Sequence, residues 1–162
     1  MRKFISLAVV ALLASSMSAQ TIANMKDLNA EKKSAAINLK LTGTLTTTKN
    51  SDFRQLRDLC WQLRNLDLSE ATCPVLPKNA FHSRHHLQHI ILPNQLQEIG
   101  TQAFFACDNL QEVVIPKSVT KVGAAAFSGC KSLKNITIEG TPEIGEFSFA
   151  RSEEHTSELQ SP

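Results

Sequence analysis

Histidine is the residue type whose spacing first suggests chemistry. His82, His85, His86 and His89 stand at i, i+3, i+4 and i+7, a spacing that on one long helix would line up imidazoles for a zinc or nickel site. Four cysteines, Cys60, Cys73, Cys107 and Cys130, add thiols that could hold metal or pair with one another. No Ser/His/Asp or Cys/His grouping stands in a nucleophile context. Acids such as Glu98, Glu112 and Glu143 are dispersed, and no glycine-rich phosphate loop is present. The expectation is a chain with no catalytic residues, no cofactor and no enzyme activity.

The elements that must position these side chains come from an internal repeat. Ala80-Phe81, Ala103-Phe104 and Ala126-Phe127 recur every 23 residues, as do Leu87, Leu110 and Leu133. The same step relates Ile90, Val113 and Ile136, then Leu92, Ile115 and Ile138, then Leu76, Ile99 and Val122. The next unit is one residue shorter, giving Ile144-Gly145 and Ser148-Phe149. In this register His85 and His86 align with Asp108-Asn109 and Lys131-Ser132, and His89 aligns with Glu112 and Asn135. The histidines therefore fall on different structural pieces, and no metal site is expected. Cys107 and Cys130 share one column a single rung apart, within the Cα range of a disulfide, but both should point the same way into the coil. They read as reduced, buried small hydrophobes. For Cys60 and Cys73, a bridge and two separate packed thiols both remain open.

Within a unit, Leu87, Ile90 and Leu92 are spaced +3 then +2, and the +2 step is strand alternation. Strands recurring every 23 residues pair with their own copies as a parallel ladder about 4.8 Å apart. Pro93 or Pro116 ends the strand, a short apolar element follows, and Gly100 or Gly123 turns the chain. The Ala-Phe-x-x-Cys-x-x-Leu stretch then predicts one or two helical or 3-10 turns that bury Phe and Leu. The fold class is α/β: a solenoid of short parallel strands with helical or 3-10 turns.

Residues 37–79 read as an N-terminal cap with an irregular first repeat. Ile37 to Leu45 alternates as a strand, Ser51-Asp52 offers an N-cap, and Phe53, Leu56, Leu59 and Leu63 share one helix face. Residues 80–150 are the regular units and residues 20–36 a loose leader. Residues 1–19 have the form of a secretory signal peptide: Arg2 and Lys3, an apolar run from Phe4 to Ala14, then small residues to Ala19. That run of about 11 residues is too short to span a bilayer, and no later stretch is longer. After Phe149 the register calls for apolar residues where Ser152, His155, Glu158 and Gln160 stand. The segment Arg151 to Pro162 resembles the translation of a sequencing-library adapter. Residues 151–162 are thus expected to be a non-native tail, with the natural chain continuing past Ala150.

The pattern LxxIxIPxxVxxIGxxAFxxCxxL, present from Leu87 to Leu110 and again from Leu110 to Leu133, resembles the BspA-type leucine-rich repeat, known from exported proteins of gut and oral anaerobic bacteria. Arg84 at the Cys column and Glu139 at the Pro column depart from it. The resemblance implies a curved right-handed leucine-rich-repeat solenoid, secretion or display at the cell surface, and protein binding or adhesion without chemistry. The partner would be a protein ligand, such as a host or bacterial surface protein. Outward strand residues of successive rungs, Asn65, Asp67, His89, Ile91, Glu112, Val114, Asn135 and Thr137, form the expected ligand face. Alternatives are a structural spacer presenting a further domain, or the non-catalytic part of a secreted enzyme. With 17 basic and 15 acidic residues interspersed, a net charge of +2 and no basic stripe, nucleic acid is not an expected partner. Removing residues 151–162 should leave the thermal unfolding midpoint unchanged; a large drop in a circular-dichroism melt would show that the tail belongs to the fold.

Overall fold

A computed structural model describes residues 21–23, 25–28, 33, 35–47 and 51–150. Residues 1–19, expected to be a signal peptide, and the expected non-native tail, residues 151–162, lie outside the described residues. Among the described residues these elements follow one another as a coil: β1 (Thr21–Ala23), a 3-10 turn (Met25–Asp27), β2 (Asn38–Thr44), α1 (Asp52–Leu59), β3 (Asn65–Thr72), β4 (Val75–Leu76), β5 (His89–Ile91), β6 (Glu98–Ile99), β7 (Glu112–Ile115), β8 (Lys121–Val122), β9 (Asn135–Ile138) and β10 (Glu143–Ile144). They form two parallel sheets, one of order β1-β2-β3-β5-β7-β9 and one of order β4-β6-β8-β10. From β5 onward the register partners of the larger sheet stand 23 residues apart, as in His89 with Glu112 and Glu112 with Asn135, whereas Asn65 pairs with His89 at 24. In the smaller sheet the last step shortens to 22, Lys121 pairing with Glu143. The deletion is therefore absorbed in the loop between β9 and β10.

Inward columns run unbroken through the coil. Leu39, Leu66, Ile90 and Val113 form one, and Leu41, Leu68, Leu92 and Ile115 the next, each residue buried. At the last described rung the same columns open to water, with Ile136 39%, Ile138 40% and Ile144 44% exposed.

The third wall, carrying the Phe column, is built of tight turns and not of α-helix. Its amides alternate between two kinds of acceptor. Ala80, His82 and Arg84 donate to the carbonyls of Pro77, Asn79 and Phe81 within the turn, whereas Asn79, Phe81 and Ser83 donate to Thr101, Ala103 and Phe105 in the next rung. Gln102, Phe104 and Ala106 repeat this onto Ala124, Ala126 and Ser128. A helix would direct every N–H along its own axis. Here every second N–H must reach sideways, and the backbone achieves this by placing Asn79, Gln102, Ala125 and Phe147, and again Ser83, Ala106 and Gly129, at φ of 52–74°. Of the helical or 3-10 turns expected here, the wall keeps the three-residue hydrogen bonds of 3-10 type and adds between them a third hydrogen-bonded ladder, which satisfies backbone groups that would otherwise be buried unpaired.

Phenylalanines stack along this wall. Ring centroids lie 5.2 Å apart for Phe81 and Phe104, 4.9 Å for Phe104 and Phe127, and 5.4 Å for Phe127 and Phe149, with interplanar angles of 18°, 7° and 8°. Helix α1 closes the column by setting Phe53 edge-on to Phe81, at 5.9 Å and 82°. Ser51 caps α1 by accepting from the Arg54 amide at 3.2 Å, and buried Asp52 accepts from the Thr46 amide at 2.8 Å. The helix ends at Leu59, so Leu59 is 41% exposed and Cys60 is buried in its place. Of the apolar face expected from spacing, Phe53, Leu56 and Leu63 are buried, Leu63 beyond the helix end, and the correction is Leu59, whose place Cys60 takes.

The leader is also more closely attached than its composition suggests. β1 pairs in parallel with β2, and Met25 and Leu28 join the core. Two substitutions test this packing. Phe104→Ala should cost about 3–5 kcal/mol, because it opens a cavity between two stacked rings. Gly123→Ala should also destabilise strongly, since a Cβ there overlaps the backbone amide of Thr101. Urea unfolding measures both, and a Gly123→Ala midpoint equal to wild type would contradict the close backbone approach.

Candidate functional site

The outer face of the larger sheet is built from two residue columns. Pairing aligns Asn38, Asn65, His89, Glu112 and Asn135 in one, and places Lys40 beside Asp67, Asp67 beside Ile91, and Val114 beside Thr137 in the other. Strand alternation thus brings all eight expected ligand residues to one face, one rung apart. Their accessibility differs. Asn135 and Thr137 are exposed, while Asp67, His89, Ile91, Glu112 and Val114 are half-buried. Asn65 is buried, because its Nδ2 donates to Asn38 Oδ1 across the first strand pair. Asn65 therefore ties the cap to the repeats and is not available to a ligand, a correction to the expected face.

Charges organise the cap-proximal part. Lys40 Nζ donates to Glu70 Oε1 at 2.6 Å and lies 3.8 Å from Asp67 Oδ2. The hydrogen bond to Glu70 holds the Lys40 ammonium above the ordinary lysine range. Asp67 also accepts from the Ser69 amide at 2.8 Å, which fixes its carboxylate. One rung on, His89 Nδ1 lies 3.7 Å from Glu112 Oε1. Between these polar groups, Ile91 and Val114 make a short aliphatic strip. Lys40 and Glu70 were missed in the sequence, because the 27-residue step from β2 to β3 departs from the repeat period and hides their alignment.

The histidines do not converge. His82 stacks on Phe105 at 5.1 Å and contacts Ser83 Oγ at 2.9 Å; His85 pairs with Asp108 at 3.0 Å; His89 lies on the ladder. Among the described residues no group of three or more His, Cys, Asp or Glu side chains is placed to hold a metal ion.

All four cysteines are unbridged and buried. Cys107 Sγ donates to Phe81 O and Cys130 Sγ to Phe104 O, each at 3.1 Å, so the thiol column secures one turn carbonyl per rung. The contact with Cys130, together with burial, pushes the Cys107 thiol well above its ordinary value. Burial alone pushes Cys60 and Cys73 up to about 11. The Cys60, Cys73 and Cys107 thiols are thus protonated at neutral pH, and all four are sealed in the core, which suits packing and not nucleophilic or ligand chemistry.

Residues 49–161 match the family model of the BspA type leucine-rich repeat region in six copies. The fold is similar to the crystal structure of a leucine-rich repeat protein from Bacteroides ovatus, with a TM-score of 0.56 and 20% sequence identity, over 81% of this chain and 34% of that one. The chain thus spans about a third of that structure's length, and at this identity the likeness shows the fold alone. No curated protein matches. Among the described residues no helix is long and apolar enough to cross a membrane.

Raised thiol pKa values give stability a definite pH dependence. The folded state favours the protonated thiol, so this contribution is fully present below the unfolded value of about 8.5 and is lost as pH rises through about 11. Melting midpoints should therefore fall between pH 9 and pH 11. Replacing Cys60 and Cys73 together by Ala should flatten that fall, and an unchanged slope in the double variant would refute the assignment.

Proposed function

The chain belongs to the BspA-type leucine-rich repeat family, and on that premise we propose that it is an exported or cell-surface module that binds a protein ligand through the outer face of its larger sheet. A repeat scaffold of this kind suits protein interaction, because each rung adds side chains to one continuous surface at fixed spacing. The observation that carries the reading is the combination of the Ile91 and Val114 strip with fixed polar groups on either side, Asp67 and Glu70 toward the cap and His89, Glu112 and Asn135 along the adjoining column. The strip supplies the desolvated centre of an interface and the polar groups its rim. Among the ladder residues described, Asp67, Glu70 and Glu112 outnumber Lys40, so this part of the face is acidic. It complements a ligand segment bearing apolar side chains flanked by lysine or arginine.

Export through residues 1–19, and adhesion to a host or bacterial surface protein, belong to the same proposal. Their support is the charged, apolar and small-residue order of the N-terminal segment. The proposed role involves no catalysis: thiols are sealed in the core, histidines are dispersed, and Asp67, Asp108 and Glu112 each lie within 4 Å of a lysine or histidine.

Substitution on the two faces separates binding from folding. His89→Ala and Glu112→Ala should each change stability by no more than about 0.5 kcal/mol. Ile115→Ala removes methyl groups from a fully buried column and should cost about 2–5 kcal/mol, whereas Ile136→Ala, at 39% exposure, should cost less than about 1.5 kcal/mol. Against immobilised surface proteins, Ile91→Asp combined with Val114→Asp should weaken binding at least about tenfold while the melt holds. Unaltered binding by that folded variant would remove the ladder face as the site.

A further inference from the structure

A second site stands apart from the ladder, where the end of α1 meets the first Phe turn. We propose that the cleft between Arg57 and Arg84 binds a phosphate- or sulfate-type oxyanion. The cleft is open, has a volume of about 480 Å³, and is lined by Arg57, Asp58, Asn79, His82, Ser83 and Arg84.

The argument begins with a departure in the repeat. Arg84 occupies the column that holds Cys107 and Cys130 in the next two rungs, where a small thiol donates to a turn carbonyl. An arginine there costs burial of charge. Its Nε and Nη1 are shut off from water and have no hydrogen-bond partner, and burial pulls the guanidinium below its ordinary pKa. Two unpartnered N–H groups on a half-buried cation are energetically costly and favour an anion that can accept their protons.

The neighbouring carboxylate is already engaged. Asp58 accepts from Arg57 Nε at 2.8 Å and from Arg54 Nε at 3.4 Å, and its bond with Arg57 holds it below the usual carboxylate range. Arg57 also donates from Nη1 to Asn79 O at 3.3 Å, which anchors its guanidinium to the turn that carries Arg84. Two guanidiniums thus line one cleft with a single acid between them, and that acid is shared with Arg54. Forked N–H donors match the oxygens of a tetrahedral oxyanion. Ser83 and His82, joined at 2.9 Å, line the same cleft and add polar groups for the remaining oxygens.

Isothermal titration of the full chain with sodium phosphate and, separately, sodium sulfate, at an ionic strength held constant with chloride, tests the site. One binding event per chain is expected. Arg84→Cys restores the column's own residue and should therefore keep the melt while weakening binding at least about tenfold, and Arg57→Gln should weaken it comparably. Binding of phosphate without sulfate would assign a phosphoryl ligand, and binding of both a general oxyanion site. Should Arg84→Cys fail to fold, Arg84→Gln and Arg57→Gln provide the comparison. Absence of heat with either anion in the wild type, or undiminished binding in the folded variants, overturns the proposal. Neither outcome touches the ladder face, whose residues are not part of the cleft.

Discussion

The distance between neighbouring parallel strands, about 4.8 Å, governs the whole molecule. Each rung must sit that close to the next on all three walls, so every column has to be filled by side chains that tolerate their own copy directly above. Phenylalanine meets the condition by stacking ring on ring at 4.9–5.4 Å. Glycine meets it at Gly100, where an added Cβ would lie 2.6 Å from Leu76 O, and at Gly145, where it would lie 2.5 Å from Ala124 N. Cysteine meets it by being small and by donating to the turn carbonyl of the rung before.

The same spacing explains why the Phe wall uses tight turns and not α-helix. A helix on every rung is wider than the interval between strands. The chain instead adopts positive φ at two residues per turn, at a local conformational cost of order 1–3 kcal/mol each, and recovers it in amide bonds to the adjoining rung. Strain and ladder are two consequences of one constraint. Function inherits the arrangement: outward side chains stand at fixed intervals on a backbone they do not support, so the face can change its chemistry without disturbing the core.

At the cap, the period gives way to individual solutions. Helix α1 turns Phe53 edge-on to finish the ring stack, and the step from β2 to β3 lengthens to bring Asn38 against Asn65 and Lys40 against Asp67 and Glu70. With no preceding Phe turn to cover, the cysteine column gives way to Arg84 beside Arg57. Polar and charged groups concentrate there because the regular rungs leave them no inward position.

Periodicity alone determined the rungs, their inward and outward parity, the shortened unit and the family resemblance, since a side chain that must stack on its own copy is repeated in the chain at the same interval. It separated the four histidines and placed Cys107 above Cys130 for the same reason. Local spacing was a weaker guide. It predicted helical or 3-10 turns from Ala-Phe-x-x-Cys-x-x-Leu without the ladder between them, and assigned Leu59 to the core, because three- and four-residue spacing describes a turn's buried face without saying where its amides go. The burial of Asn65, the pairing of Lys40 with Glu70, the docking of Met25 and Leu28 and the Arg57–Arg84 cleft were decided only in three dimensions. Each depends on contacts across unequal sequence separations at the cap, where no repeat records which residue meets which.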